Sequence, residues 1–343
     1  MWPRVVAAAG YIDELRHERM TQQYTRDSMR VFYGLLPQSI SHEGYSSKAM
    51  HSYWDDFFAL KGLKDASELA GVLRRPAERA RYATMADSMR ANILASVSLS
   101  MAQHRVDYIP GAADLGDFDA TSTTVAIAPG GELSRLPRPA LDRTFERYWR
   151  QLIARRDSSS GDGYTPYEWR VVGTMVRLGQ KERALGTLDF LMKDRRPPEW
   201  NQWAEVVWRN PETPKFIGDM PHTWVGSDFL RSALDLFAYD REEDGAVVVG
   251  AGVRPEWVTT NPGIHVSGLR TYEGRLDLAM SGTPQQVRVT LGGGMRIPRG
   301  GIIVRSPFDA PILRATVNGV SARMSDRSEV QVLRLPATIV LTY

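Results

Sequence analysis

The chain has 343 residues, 43% of them hydrophobic and 24% charged, a balance typical of a folded protein with one large domain and one smaller domain. Its formal charge of +3 comes from Lys and Arg scattered among Asp and Glu, so no basic stripe indicates nucleic acid as a partner. The absence of Cys excludes disulfides and thiolate metal sites, and without a run of about 18 apolar residues no membrane helix is predicted.

Helical spacing of apolar residues runs from the start of the chain to about residue 243. Two start signals have capping-box form, Asp65 with Glu68 and Thr165 with Glu168, the second with Pro166 at the first helical position. The pattern predicts helices near 4–30, 48–61, 65–74, 77–104, 120–128, 138–156, 166–178, 181–194, 199–208 and 221–239.

From about Gly245 the apolar period changes to two, with Gly, Pro, Asn or Asp between the runs. This pattern predicts an all-β module of roughly seven short strands. The change of period divides the predicted protein into a helical domain, residues 1–243, and a β-sandwich domain, residues 244–343.

Five stretches place carboxylates beside aromatic residues. Glycoside cleavage needs one protonated carboxyl group for the leaving oxygen and one ionised carboxylate to activate water or attack the anomeric carbon. Aromatic rings add flat faces on which sugar rings stack. These ingredients favour a carbohydrate-active enzyme, although a single Asp or Glu is more often a cap or a solvated charge. The stretches are SHEGYS (41–46), HSYWDDFF (51–58), DYIPGAADLGDFDATST (107–123), EWNQWAEVVW (199–208) and GDMPHTWVGSDF (218–229).

The order of these motifs resembles that of the six-hairpin glycosidases, the group of trehalases, processing glucosidases, rhamnosidases and maltose-type phosphorylases. The motifs are GLLP, HSYWDDFFALKGL, GDFDATST, WAEVVW, GDMPHTWVGSDFLRSALDLF and a β-module led by GVRPEWV. The resemblance implies a mainly α fold, an (α/α)6 toroid of helical hairpins followed by a C-terminal β-sandwich. The Gly-Trp-Asp signature of trehalases and the paired-Asp, Arg-rich signature of rhamnosidases are absent, so no particular sugar is implied.

The resemblance also implies that the ring of hairpins is incomplete, because fewer helices are predicted than a closed toroid needs. Trp2, Val6 and Ile12 already follow helical spacing at the first residues of the chain. We therefore expect that an amino-terminal barrel segment is missing and that this apolar stripe is exposed.

The resemblance assigns roles to single residues. Asp55, in the aromatic-Trp-Asp triplet, would bind sugar hydroxyls, and Asp56 would not share this role because adjacent helical residues point about 100° apart. Asp114 would be the general acid, with Asp117 as the second candidate. Glu205, in an aromatic stretch where an unpartnered carboxylate is costly to bury, would be the general base.

Further substrate contacts are expected from residues in the same stretches, and Glu43 is explained equally well as a surface loop residue. Asp119 is explained as a helix N-cap. No spacing of His with carboxylates indicates a metal site, so neither a metal nor a cofactor is expected. The expected substrate contacts are Trp54, Glu43, His222 and Trp224, besides Asp55.

The sequence thus predicts a glycoside hydrolase that acts on an oligo- or polysaccharide, with inversion implied by the resemblance. Three alternatives stay open. A phosphorylase would need a cationic or helix-N-terminal pocket for phosphate. A polysaccharide lyase would use Tyr45, Tyr53 and His222 to remove a proton next to a uronate. A non-catalytic carbohydrate-binding scaffold would need no acid and base. The sugar and the cellular compartment are left open.

Overall fold

The computed structural model describes residues 1–42, 44–158, 163–208, 210, 220–322, 324 and 326–343. The chain forms two compact units, residues 1–155 and 156–343. The first unit is helical, and the second begins with helices and ends with two β-sheets. The predicted fold class, a helical region followed by a C-terminal β region, is therefore confirmed.

The first unit contains helices α1–α5, which are Trp2–His17, Tyr53–Val72, Pro76–His104, Ala120–Ile127 and Ala140–Asp157. The helices α2 and α3 are joined by residues 73–75 and pack together as a hairpin. The short helix α4 packs on α2, and all of its side chains but one are buried. The beginnings of α2 and α4 carry the candidate site described below.

Helix α2 is one continuous helix where two were expected, near 48–61 and 65–74. Asp65 does not begin a helix, because it lies inside α2 and pairs with Lys61 one turn earlier. Such a pair at a spacing of four residues supports a helix interior. Ala66, which is buried, also favours the helix that surrounds it.

Helix α1 ends well before the expected end near residue 30. Its stripe of Trp2, Val6 and Ile12 is half-buried, so the expected exposed apolar face is not observed. The indole Nε1 of Trp2 donates a hydrogen bond of 3.2 Å to Glu78, and its ring packs edge-on against Tyr82 at 6.1 Å. Trp2 at the beginning of α1 therefore packs on α3, whereas Ile12 lies beside Gly62 of α2.

The chain turns back after α1 into an irregular segment that was expected to be partly helical. Arg16 is only 1% exposed, and its guanidinium donates to the Gly34 carbonyl and the Ser88 hydroxyl, both at 3.2 Å. These long-range hydrogen bonds hold the segment against the helices, where local helical spacing alone would have extended α1.

The second unit contains helices α6–α9, the last of which lies within the β region, and they are Trp169–Arg177, Lys181–Met192, Thr223–Asp235 and Pro255–Thr259. Thr165 accepts a hydrogen bond from the Tyr167 N–H, with Pro166 at the first position of a 3-10 turn that leads into α6. The predicted helix start is thus present. Helix α6 packs on both α7 and α8.

The prediction of a helix at residues 199–208 is wrong. This segment contains one 3-10 turn, which ends where Asn201 adopts a left-handed conformation with φ of 48°. Val207 then pairs with Tyr164 through two backbone hydrogen bonds of 2.9 Å. Trp203 is fully buried and its Nε1 donates to the Leu191 carbonyl at 2.9 Å. Burial of Trp203 and this pairing override the helical spacing.

The β region of the described chain has two sheets with strand orders β1-β2-β6-β9 and β3-β4-β5-β10-β7-β8. Most neighbours are antiparallel, while β2 and β6 are parallel. Buried side chains of both sheets belong to a single apolar core. The strands β1–β10 are Ala238–Arg241, Ala246–Val249, Ile264–Thr271, Gly274–Thr283, Gln286–Gly293, Ile302–Arg305, Arg314–Val317, Val320–Ser321, Glu329–Val332 and Ala337–Thr342.

Strand burial follows the period-two pattern of the sequence. In β5, Val287, Val289 and Leu291 are buried and the residues between them are exposed. In the described ranges, none of the helices has the length and apolar character needed to span a membrane.

Candidate active site

Two loops and the beginning of α2 come together in the first unit. Residues 36–52 and 107–119 are joined by a backbone bridge between Ser52 and Ala112. A small apolar core contains side chains of both loops, Tyr45, Met50 and Ala112. Three of the five predicted stretches thereby form one group of polar side chains. Its acidic members, here called the carboxylate cluster, are Asp55, Asp114, Asp117 and Asp119.

Asp55 and Asp56 point in different directions from α2, as helical geometry predicted. The carboxylate of Asp55 accepts hydrogen bonds from the hydroxyls of Ser39 and Ser41, the second at 2.8 Å. Asp56 has no exposed surface and accepts a hydrogen bond from the Leu36 N–H at 2.9 Å. Asp55 therefore belongs to the half-buried carboxylate cluster, and Asp56 belongs to the core.

Asp114 is held as an ionised carboxylate. It accepts hydrogen bonds from Gln38 Nε2 at 3.0 Å, from the His51 backbone N–H at 2.6 Å and from His51 Nδ1 at 3.1 Å. Arg19 donates to His51 Nε2 at 3.4 Å, so the ring proton of His51 lies on Nδ1. Burial opposes ionisation, but the hydrogen bonds from His51 and Gln38 outweigh it and lower the pKa of Asp114.

Asp117 differs from Asp114, because burial raises its pKa. It accepts hydrogen bonds from the Tyr45 hydroxyl at 2.9 Å and from the Ala112 N–H at 3.0 Å, and these only partly offset the loss of hydration. A Cβ on Gly111 would lie 2.9 Å from both Asp117 Oδ2 and the Tyr45 hydroxyl oxygen. Glycine at this position therefore gives the Asp117 and Tyr45 side chains room to meet.

Asp119 is the N-cap of α4, as expected. Its carboxylate accepts hydrogen bonds from the backbone N–H groups of Thr121 and Ser122 at 2.9 and 3.2 Å. His42 Nε2 lies 3.6 Å from Asp119 Oδ2. Burial disfavours the charge, but hydrogen bonds from His42, Ser122 and Thr121 lower the pKa of Asp119 to about 2. The ionised carboxylate stabilises the start of α4.

The ring of Trp54 lies beside the carboxylate cluster but is only 6% exposed. The His42 ring stacks on it at 4.5 Å with an interplanar angle of 20°, and the Phe58 ring lies at 5.3 Å. A sugar could reach this face of Trp54 only if His42 moved away. Glu43, the other expected substrate contact in this loop, lies outside the described residues.

Glu205 belongs to the second unit and lies on the irregular segment between the 3-10 turn and Val207. Its side chain is half-buried. The neighbouring Trp203 packs edge-on against Trp169 at 5.0 Å and lies 5.1 Å from Phe229. Glu205 therefore lies two residues from the buried Trp203, and it is not on a helix.

His222 and Trp224, at the beginning of α8, form an aromatic group with Tyr167. The Tyr167 hydroxyl lies 2.8 Å from His222 Nε2, and its ring lies 4.9 Å from the ring of Trp224, which is 41% exposed. The guanidinium of Arg170 lies over both Tyr167 and Trp224 and is bound by the buried Asp228, with Nε at 3.1 Å from Oδ2. The structure thus brings together two predicted sugar contacts.

Sequence reasoning missed several residues that contact the predicted ones. Gln38 and Ser39 lie in an irregular loop outside the five stretches, and Ser41, the first residue of SHEGYS, was given no role. Tyr167, which lies between Pro166 and Glu168 in the predicted helix start, was given no functional role. A weak signal is available in retrospect, because Tyr167 is an aromatic residue at a helix N-terminus. Across the described ranges, no group of three or more His, Asp or Glu side chains is arranged to hold a metal ion.

No protein-family model matches the chain, and no curated protein sequence matches it. Among solved structures, the chain is similar to the alpha-L-rhamnosidase from Dictyoglumus thermophilum, with 12% sequence identity and a TM-score of 0.48. The match covers 84% of this chain and 32% of that protein, so the chain spans about a third of the rhamnosidase's length. Similarity at this level does not assign an activity.

Proposed function

We propose that the chain is a glycoside hydrolase that cleaves a glycosidic bond of an oligo- or polysaccharide. The observation that carries this proposal is the contrast inside the carboxylate cluster. Burial raises the pKa of Asp117, whereas hydrogen bonds lower the pKa values of Asp114 and Asp119. A carboxyl group whose pKa is raised by burial is better able than its ionised neighbours to hold the proton that acid catalysis of glycoside cleavage requires.

In this proposal Asp117, the second of the two acid candidates, protonates the glycosidic oxygen as the bond to the anomeric carbon breaks. Glu205, whose role is implied by the resemblance alone, accepts a proton from the water whose oxygen attacks that carbon, which gives inversion. Asp114 is better suited to keep His51 and the surrounding loop in place, because it is already engaged as an ionised acceptor. Asp55 accepts hydrogen bonds from sugar hydroxyls.

Trp224, His222 and Tyr167 provide a further sugar contact in this proposal. The exposed Trp224 ring offers an apolar face, and the Tyr167 hydroxyl and His222 offer polar groups at its edge. The guanidinium of Arg170 lies over the rings of Tyr167 and Trp224 and restricts their motion. Less conformational entropy is therefore lost when a sugar binds to them.

The test is hydrolysis of a panel of alkyl and aryl glycosides of both anomers by the full chain. Glu205→Gln keeps the shape of the side chain and removes its basicity, so turnover should fall by about 10²–10⁴-fold while sugar binding by calorimetry is retained. The matched control is Glu199→Gln, an exposed residue of the same segment, which should leave turnover unchanged.

Near-normal turnover by Glu205→Gln would contradict the role of Glu205. No turnover of any glycoside, together with no sugar binding by the wild-type chain, would contradict the hydrolase proposal itself.

A polysaccharide lyase is the second candidate, and the distance of 2.8 Å between the Tyr167 hydroxyl and His222 Nε2 favours it. A Tyr–His pair can remove the proton next to a uronate carboxylate and return it to the leaving oxygen. Tyr53, proposed for this role from the sequence, is fully buried and lies 2.8 Å from Ser96 Oγ. Formation of an unsaturated uronate from polyuronate, detected by ultraviolet absorbance, would decide for the lyase.

A further inference from the structure

Helix α5 carries a row of arginines that lies outside the carboxylate cluster. Arg143, Arg147 and Arg150 recur at helical spacing along one face, which places their side chains side by side. The opposite face packs into the first unit through buried residues that include Phe145 and Leu152. The three arginines, with Gln151, Asp107 and Glu146, line a groove of about 410 Å³, here called the α5 arginine groove.

Arg147 is held in the groove by two aromatic rings. Its guanidinium carbon lies 4.5 Å from the centroid of Tyr108 and 4.5 Å from that of Phe118. The two rings meet edge-on at 5.3 Å, and the Tyr108 hydroxyl donates to the Gly116 carbonyl at 2.9 Å. Rings fixed in this way hold the guanidinium group in position.

A cation–π contact attracts the charge of the guanidinium without pairing it with an acceptor oxygen, so its N–H groups can still donate to a ligand. In the portion of the chain that the structure describes, Arg147 makes no ion pair with a carboxylate. Arg147 is therefore a pre-positioned donor whose planar fork matches two oxygens of an oxyanion.

The other two arginines are only loosely paired. Arg143 lies 3.6 Å from Asp107, and Arg150 lies 3.9 Å from Glu146, and these four side chains are 43–71% exposed. Exposed pairs at these distances are weak. A bound oxyanion can therefore take the donors of Arg143 and Arg150 without breaking a buried interaction.

We propose that the α5 arginine groove binds the phosphate group of a small molecule, either free phosphate or a sugar phosphate. Arg147 would donate its two-pronged set of hydrogen bonds to the phosphate oxygens, and Arg143 and Arg150 would supply further charge. Phe118 connects the groove to the segment that carries Asp117 and Asp119, since it lies between them in the chain. This site is separate from the carboxylate cluster, and its test does not depend on hydrolysis.

The test is calorimetric titration of the full chain at low ionic strength with inorganic phosphate and, separately, with glucose 1-phosphate. Arg147→Gln should weaken binding by roughly tenfold or more, since it removes the charged fork, and Arg147→Lys should weaken it less because it keeps the charge. Arg156→Gln, on the same helix but outside the groove, should change the affinity less than about twofold. Circular dichroism melting curves verify that each variant is folded.

Equal affinity for the two probes would identify free phosphate as the ligand. Tighter binding of glucose 1-phosphate would identify a phosphorylated sugar. Either result supports the site. If Arg147→Gln does not fold, the exposed Arg150→Gln tests the same groove. The proposal is overturned if neither probe binds, or if Arg156→Gln weakens binding as much as the groove variants, which would indicate unspecific charge attraction.

Discussion

At the residue scale, burial controls the charge of Asp56. This carboxyl group has no exposed surface, and among the described residues its Oδ2 has no hydrogen-bond partner. Burial raises its pKa to about 8, with Asp55 adding to the shift and the cations Arg16 and Arg19 opposing it. Asp56 is therefore protonated in the folded chain at neutral pH, although it is ionised in the unfolded chain.

This difference predicts a pH-dependent stability. Between about pH 4 and pH 8 the unfolded chain releases the Asp56 proton and the folded chain retains it, so stability falls as the pH rises, with a slope approaching about 1.4 kcal/mol per pH unit from this group. Asp56→Asn cannot titrate, and it should therefore gain stability relative to the wild type as the pH rises across this window. Urea unfolding at several pH values measures the difference.

The control for this series is Asp65→Asn, a half-exposed residue of the same helix that pairs with Lys61. Its stability relative to the wild type should not rise from pH 5 to pH 8 as that of Asp56→Asn does. A constant difference between Asp56→Asn and the wild type across that range would show that Asp56 is ionised in the folded chain.

The residue scale also shows what sequence can and cannot reveal about the site. The direction of Asp55 relative to Asp56, and the capping role of Asp119, follow from helical geometry and were predicted. The contact of Gln38 with Asp114 spans 76 residues of sequence, so it exists only after the two loops have come together. The same folding sets the opposite pKa shifts of Asp114 and Asp117, which local sequence does not encode.

At the element scale, a buried ion pair joins α6 to α8. The side chains of Arg170 and Asp228 are only 3% and 9% exposed, and Arg231 lies 3.5 Å from the same carboxylate. Removing one partner of a buried pair leaves a charge in a poorly hydrated place. This pair also fixes the position of Arg170 against Tyr167 and Trp224.

Asp228→Ala should therefore lower the free energy of unfolding by about 3–5 kcal/mol, as measured by urea unfolding. The matched control is Asp189→Ala, because the Asp189–Arg254 pair of the same unit is more exposed and should contribute about 0–1 kcal/mol. Equal losses in the two variants would contradict the argument from burial.

Prediction of the helices succeeded where a long continuous run of residues has helical spacing. Helix α3 was expected at 77–104 and is found at Pro76–His104. It failed at residues 199–208, because the tertiary packing that buries Trp203 overrides the helical spacing of the aromatic residues there. It also failed at the start of the chain, where the buried Arg16 turns the backbone after α1.

At the scale of the whole molecule, one change of hydrophobic period predicted the succession of helices and sheets. The change was expected near Gly245, and the first strand begins at Ala238. Pairing of the strands into two sheets could not be predicted, because it depends on contacts such as the parallel β2–β6 pair between distant segments. The ring of hairpins and the role of Glu205 stay predictions from the resemblance.

The central claim is that Asp117 is the general acid of a glycoside hydrolase. General acid catalysis is needed when the leaving group is a poor one, such as an alcohol or another sugar, and hardly at all when it is an acidic phenol. The most direct measurement is therefore the ratio of kcat/KM for Asp117→Asn and wild type with two glycosides of one sugar, an alkyl glycoside and a dinitrophenyl glycoside.

We predict that Asp117→Asn lowers kcat/KM by about 10²–10⁴-fold for the alkyl glycoside and by less than about tenfold for the dinitrophenyl glycoside. Asp114→Asn, by contrast, should affect both glycosides alike, since it disturbs the position of the loop rather than the proton transfer. An equal loss on both glycosides in Asp117→Asn, or no loss on either, would contradict the assignment of Asp117 as the acid.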